Sequence, residues 1–176
     1  MRQGSRALYA DAELFDQLYR RRTGDVRFYV DIANRFGGPV LELGVGSGRV
    51  ASALARAGHE VVGVDFMASM LDAARERLAA LPRSAGGRVQ LVRGDLRKLQ
   101  LGQRFPLVIA PFNTLTHFYD LRDLELALAA CRRHLKPGGR LVFDVAMPEL
   151  RALIQDPSRL YRSRPVTHPR TGKKHG

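Results

Sequence analysis

VLELGVGSGRV, residues 40–50, runs an apolar strand straight into a turn holding Gly44, Gly46 and Gly48, and a helix-forming segment over residues 51–56 follows at once. Glycines let a backbone take positive φ and approach a ligand where a Cβ would collide, and they set that ligand against a helix N-terminus. The layout is that of a nucleotide pocket. Spacing then separates two kinds of ligand. A dinucleotide fingerprint of the form G-x-G-x-x-G needs glycine at position 49, and this chain has Arg49 there. Glu42, just ahead of the turn, is unfavourable beside a pyrophosphate and favourable beside a cation. A plain strand-to-helix turn is the competing reading, and the coincidence of strand, glycines and helix argues against it.

Three further segments stand downstream in order. EVVGVDF, residues 60–66, is a buried-strand run that closes on Asp65, and a carboxylate ending the second strand is placed to accept both hydroxyls of a ribose. VQLVRGDL, residues 89–96, reads as a short strand ending in Gly94 and Asp95. LKPGGRLVFDV, residues 135–145, reads as a turn into a fifth strand, with Pro137 stopping a helix and Gly138 and Gly139 making the bend. Taken singly, Asp65 also reads as a solvated strand-end acid, and Glu42 and Asp95 as surface acids or helix caps.

Together these segments resemble the motifs of the class I S-adenosylmethionine-dependent methyltransferases, over roughly Leu14 to Leu150. The resemblance implies that Glu42, Gly44, Gly46 and Gly48 hold the amino-acid end of a sulfonium cofactor, S-adenosyl-L-methionine. It makes Asp65 the ribose ligand, sets Phe66 and Met67 against the adenine, and gives Gly94 and Asp95 the adenine amino group with the Leu96 N–H facing the ring. Ala110, closing the fourth strand, completes the set, and no metal ligands are implied. The wording of GGPVLELGVGSGRV, VVGVDFMASML, FNTLTHFYD and LKPGGRLVFDV is most similar to small-molecule N- and O-methyltransferases.

Periodicity gives the frame. Helices are expected over Asp11 to Arg22 and Asp25 to Phe36, the second capped by Thr23 or Asp25. Strands over 40–43, 60–64, 89–92, 106–110 and 140–145 alternate with helices over 47–57, 68–81 and Leu121 to Leu135. Such alternation predicts an α/β fold, a Rossmann-like doubly wound parallel sheet with helices on both faces and ligands beyond the carboxyl ends of the strands. The domain is expected over residues 1–156, with residues 1–38 as a helical lid, and residues 157–176 as a basic, disordered tail. A short helix is expected over 148–155. The C-terminal strand hairpin that the resemblance implies finds little room in this sequence. That leaves the fifth strand an exposed edge, or covered by another copy or a partner chain, or the sequence truncated.

Composition excludes several classes. A length of 176 residues, 45% hydrophobic and 26% charged, fits one globular domain with its own core. One cysteine, Cys131, lies in the apolar repeat of a helix and reads as a buried thiol rather than part of a disulfide framework. No run of 18 apolar residues and no signal-peptide pattern occurs, so a soluble cytoplasmic protein without a membrane partner is expected. The net charge of +12 favours acidic partners in general, and half of it falls within residues 151–176. No aromatic and basic interleaving marks a nucleic-acid module. At the fourth strand, where amino-methylating DNA enzymes carry an Asn/Asp-Pro-Pro-aromatic box, this chain has Ala110, Pro111, Phe112 and Asn113.

The resemblance implies an in-line displacement at the cofactor methyl, favoured by holding donor and acceptor collinear in a site shielded from water. A base is needed only where the acceptor keeps its proton. His117 and Asn113, after the fourth strand, are the candidates, with a structural role beneath the cofactor as the alternative for His117. Among Tyr9, Tyr19 and Tyr29, Tyr19 is expected to reach the cofactor end and Tyr29 to pack in the core. The function so read is methyl transfer to an N or O acceptor on a small molecule. A cofactor-binding but inactive relative is the alternative, and a nucleic-acid or protein methyltransferase rests on charge alone.

Overall fold

The computed structural model describes residues 9–147, 154, 156 and 165–175. Its centre is a five-stranded parallel sheet of order β3-β2-β1-β4-β5. The strands are β1 (Val40–Leu43), β2 (Val61–Asp65), β3 (Val89–Arg93), β4 (Phe105–Ala110) and β5 (Leu135–Phe143). The helices are α1 (Ala12–Tyr19), α2 (Gly24–Phe36), α3 (Arg49–Arg56), α4 (Ala68–Ala79), the short α5 (Arg83–Gly86) and α6 (Leu121–His134). Single 3-10 turns lie at Leu96–Lys98 and Thr114–His117.

Strand alternation sorts the core into two layers. Val40, Val61, Leu107 and Ile109 pack on one side with Tyr29 and Ala33 of α2, Ala51 and Leu54 of α3 and Leu71 of α4. Leu41, Leu43, Val62, Val64, Val108 and Ala110 pack on the other with Ala130 and Cys131 of α6. Residues 40–43 are buried throughout, as a central parallel strand covered on both faces requires. Register runs Val40 beside Val61 on one flank and Leu107 on the other, so the carboxyl ends of β1, β2 and β4 come out level. Cys131 is buried, which pushes its thiol up to about 11.

β5 begins five residues before the expected strand. Leu135 pairs with Phe105 and Arg140 with Leu107, and the extra residues Lys136 to Gly139 bulge between them with Gly138 at φ 74°. Among the described residues β5 is the edge of the sheet, and Phe143 and Val145 beside its end are exposed.

Two expectations fall elsewhere. The helix over 148–155 lies outside the described residues, apart from Ile154. Residues 165–175 of the expected disordered tail form a hairpin, β6 (Val166–Thr167) against β7 (Lys174–His175). Gly172 at φ 69° turns the chain, its N–H donates to the His168 carbonyl at 3.0 Å, and the His168 N–H donates to the Lys173 carbonyl at 2.8 Å. The tail that was expected to be disordered meets acids at the start of α1: Arg170 pairs with Glu13, and His168 bonds Asp11, the residue that caps the helix.

Candidate functional site

Strand order reverses between β1 and β4, the switch point where parallel sheets of this kind open a crevice. A cavity of about 170 Å³ lies at the carboxyl ends of the strands. Its floor is the glycine turn. Gly44, at φ 68°, faces Thr114, and a Cβ there would stand 2.5 Å from Thr114 Oγ1. The turn is tied to β2 by the Gly44 and Val45 N–H groups, which donate to the Val64 carbonyl at 2.8 and 3.0 Å.

Two acids define the polarity of the cavity. Glu42, from β1, is 2% exposed, lines the cavity, and its Oε2 has no hydrogen-bond partner. Burial drives its carboxyl well above the ordinary range; Arg49 opposes that in part and Asp65 adds to it. Asp65 ends β2 and is also raised by burial, against the pull of its backbone donors. Its Oδ2 accepts the Gly46 N–H and its Oδ1 the Met67 N–H, both at 2.8 Å. Each carboxylate oxygen has acceptor capacity left, so the pair remains able to take a diol. An orphaned buried acid for a cation, a strand-end carboxylate for a diol and a glycine cradle between them fit the sulfonium nucleoside that the sequence implies.

Asp95 lies at the end of β3 and is heavily engaged. Its Oδ1 accepts the Arg97 backbone N–H at 3.0 Å and Nε at 2.9 Å, and its Oδ2 accepts Nη2 at 2.6 Å. Arg97 also donates through Nη1 to Asp123 of α6 at 2.7 Å, and this guanidinium holds Asp95 below the usual carboxylate range. A donor from a bound base meets an acceptor already shared.

Part of the cavity lining is aromatic. Tyr9 Oη and His117 Nε2 lie 2.8 Å apart, and His117 Nδ1 is buried without a partner. Burial lowers His117 and pushes the Tyr9 hydroxyl up to about 12, so at neutral pH both are uncharged. Phe15 and Phe112 also line the cavity, their rings 5.8 Å apart in an edge-on contact. Phe112 and Asn113 hold φ of 55° and 61°, a region a bulky side chain rarely adopts. Asp144 secures that bend by accepting the Phe112 N–H and the Tyr29 hydroxyl, each at 2.7 Å.

Arg49, the residue that departs from the dinucleotide pattern, grips α2. It donates to both oxygens of Asp25, at 2.9 and 2.6 Å, and to the Arg22 carbonyl at 2.8 Å. Asp16 of α1 accepts from Ser47 Oγ and from Arg77, each at 2.5 Å, which clamps α1 onto the glycine turn.

Of the residues expected at the cofactor, Glu42, Gly44, Gly46, Asp65, Phe66, Met67, Asp95 and Leu96 line one cavity, and His117 joins them. Gly48, Gly94 and Ala110 do not. Gly48 precedes α3 at φ 76°, where a Cβ would meet that of Ala74 at 3.2 Å. Gly94 sits against Val64 and Leu99, and Ala110 faces the α6 side of the core. Asn113 turns its Oδ1 to the Ala146 N–H, and Tyr19 packs on Phe15 and Phe112, so Tyr9 is the tyrosine at the cavity. Sequence reasoning passed over Phe15, Phe112, Arg97 and Asp144. The local signal for the bend at Phe112 was its neighbour Asn113, a residue type tolerant of left-handed backbone. Among the described residues no helix is long and apolar enough to cross a membrane.

Residues 40–139 match the model of the methyltransferase-domain family. An uncharacterised methyltransferase of Geobacillus kaustophilus is 33% identical over 150 residues, 81% of this chain and 64% of that protein. The CcbJ methyltransferase of Streptomyces caelestis superposes with a TM-score of 0.63 at 42% identity, over 67% of this chain and 48% of its own. The glycopeptide N-methyltransferase MtfA, complexed with S-adenosyl-L-methionine, superposes with a TM-score of 0.67 at 31% identity, over 87% of this chain and 63% of its own. The chain thus spans about half to two thirds of the length of these relatives. With the glycine turn, the two acids and the sheet order in place, the chain belongs to the methyltransferase-domain family of the class I S-adenosylmethionine-dependent methyltransferases.

Proposed function

We propose that this chain binds S-adenosyl-L-methionine in the cavity above β1, β2 and β4 and transfers its methyl group to a nitrogen or oxygen of a small molecule. The observation that carries the reading is the pairing of Glu42, buried with an unpartnered oxygen, and Asp65, at the β2 terminus, on one cavity. Glu42 meets the cationic amine of the cofactor and Asp65 the ribose hydroxyls, with Gly44 and Gly46 leaving room for the chain between them. Phe66 and Met67 flank the base, and Asp95 with the Leu96 N–H bounds its edge.

When bound, the cofactor supplies a methyl carbon activated by the sulfonium. The remaining work falls to residues of this chain. Among the described residues Tyr9 and α1 form the cover, and Phe15 and Phe112 exclude water from the cavity. Tyr9 and His117 face the acceptor. Both are uncharged at neutral pH, so His117 can accept a proton from an amine or alcohol as its methyl arrives, and Tyr9 fixes the ring. The MtfA relative, a glycopeptide N-methyltransferase by name, supports a small-molecule acceptor.

The test is turnover. The purified chain is incubated with S-adenosylmethionine and a panel of primary and secondary amines, amino sugars and phenols, and S-adenosylhomocysteine is followed by mass spectrometry. Acceptor-dependent product, reduced in Tyr9→Phe and His117→Ala, is expected. Retained cofactor binding with no product from any acceptor class would overturn the catalytic half of the proposal in favour of a binding role.

A further inference from the structure

The cover of the cavity is held at one end by the glycine turn, through Asp16, Ser47 and Arg77. Its other end meets a part of the chain outside the family match, the hairpin of β6 and β7. His168 is the joint. It is 7% exposed, and its Nε2 lies 2.9 Å from Asp11 Oδ2. Its Nδ1 accepts two backbone N–H groups of the hairpin turn, from Arg170 at 3.1 Å and Thr171 at 3.2 Å. An imidazole nitrogen that accepts two N–H groups carries no proton, which places the proton on Nε2 and makes it the donor to Asp11. Asp11 at the same time caps α1, its Oδ1 accepting the Leu14 N–H at 3.0 Å.

We infer that the C-terminal hairpin is a strap that positions the cavity's cover, and that His168 is the positioning residue through which it acts. Asp11 stands between Tyr9 and Phe15, both of which line the cavity. Fixing Asp11 fixes the turn of chain that presents Tyr9 to His117 and Phe15 to Phe112. Arg170 adds an exposed ion pair to Glu13, a contact of small weight alone. The part-buried, charge-assisted bond from His168 is the stronger link. This inference rests on the reading that the cavity holds the sulfonium cofactor.

The experiment compares the full chain with His168→Ala, His168→Gln and Asp11→Asn, with S-adenosylhomocysteine as the probe. Asparagine at position 11 keeps a capping oxygen for Leu14 and presents an amide to His168 in place of an acceptor, so it breaks the strap and spares the cap. Calorimetry is expected to show about tenfold weaker binding for His168→Ala and Asp11→Asn. His168→Gln, whose amide N–H can still reach Asp11, should lie within about threefold of the unaltered chain. Hydrogen exchange of the ligand-free proteins is expected to quicken over residues 12–19 in the first two variants and not over β1 or β4. Unaltered affinity together with unaltered exchange in Asp11→Asn would overturn the strap, and that variant decides the matter if His168→Ala does not fold. If the unaltered chain itself binds no S-adenosylhomocysteine, the cofactor reading fails, and exchange over residues 12–19 still decides the strap.

Discussion

Glu42→Gln is expected to stabilise the ligand-free protein and to weaken its hold on S-adenosylmethionine, two effects of opposite sign from one atom exchange. An unfolded glutamate is ionised at pH 8, whereas in the fold Glu42 is 2% exposed and its Oε2 is unpartnered. Burial raises its carboxyl well above the ordinary range, with Arg49 lowering and Asp65 raising it further. A group raised on folding lends stability that is complete below its unfolded pKa and is lost as pH climbs through its folded one. The unaltered chain therefore loses up to about 1.4 kcal/mol per pH unit across that window, and the glutamine variant, neutral throughout and nearly isosteric, does not. Relief of a buried charge is worth about 2 kcal/mol at pH 8, or about 5 °C in Tm for a chain of this size. The same change removes the anion that meets the cofactor's amine, for an affinity loss of about 10- to 100-fold. Calorimetric scans between pH 4 and pH 8, with and without S-adenosylmethionine, read both effects. A stability gain that fades towards pH 4 is expected. A variant no more stable than the parent at pH 8, or one that binds the cofactor equally well, would refute the reasoning.

Asp65→Ala should abolish measurable cofactor binding by titration and lower Tm by several degrees, because the Gly46 and Met67 N–H groups lose their acceptor. Asp95→Ala should weaken binding by no more than about tenfold, since Arg97 already occupies much of that carboxylate; a loss as large as that of Asp65→Ala would show that Arg97 yields to the base. Asp25→Asn should cost about 3 kcal/mol in denaturant unfolding at pH 7, where the pair with Arg49 is close to buried at 10% and 19% side-chain exposure. Burial alone would raise Asp25, and the hydrogen bonds and charge of Arg49 overcome it, so its folded pKa is depressed. The stability it contributes is then present above about pH 4 and drains as pH falls through the folded value, and Asp25→Asn should flatten that acid limb.

What the sequence discloses is local. The glycine turn, its flanking strand and helix, and the carboxylate at the end of β2 are contiguous features whose spacing carries their geometry, and all are found where the pattern places them. The parallel sheet with helices on both faces is legible in the β-α alternation, whereas the strand order β3-β2-β1-β4-β5 is a finding of the structure. What stays hidden is pairing across the chain. Nothing in the spelling of Tyr9 selects His117, 108 residues on, or of Asp11 selects His168, 157 residues on. Arg49 is legible as a misfit to one fingerprint, but its grip on Asp25 depends on how α2 packs beside α3. Ala110 was expected at the cofactor because it closes β4, and strand alternation instead turns it to the α6 face. Asp95 was assigned to the adenine amino group with a helix cap as the alternative, and its carboxylate does cap the turn that follows, accepting the Arg97 N–H, while the Arg97 side chain takes up the rest. The hairpin of β6 and β7 escaped because a run of basic charge argues for solvation until its acidic partners at the start of α1 are known.

The central claim, that the cavity above β1, β2 and β4 is built for a sulfonium nucleoside and not for a dinucleotide, is tested most directly by calorimetric titration of the folded chain with S-adenosylmethionine and, separately, with NADH. Saturable binding of S-adenosylmethionine at one site per chain and no binding of NADH is the expected result. Binding of NADH, or a folded chain that takes up neither S-adenosylmethionine nor its demethylated product, would contradict it.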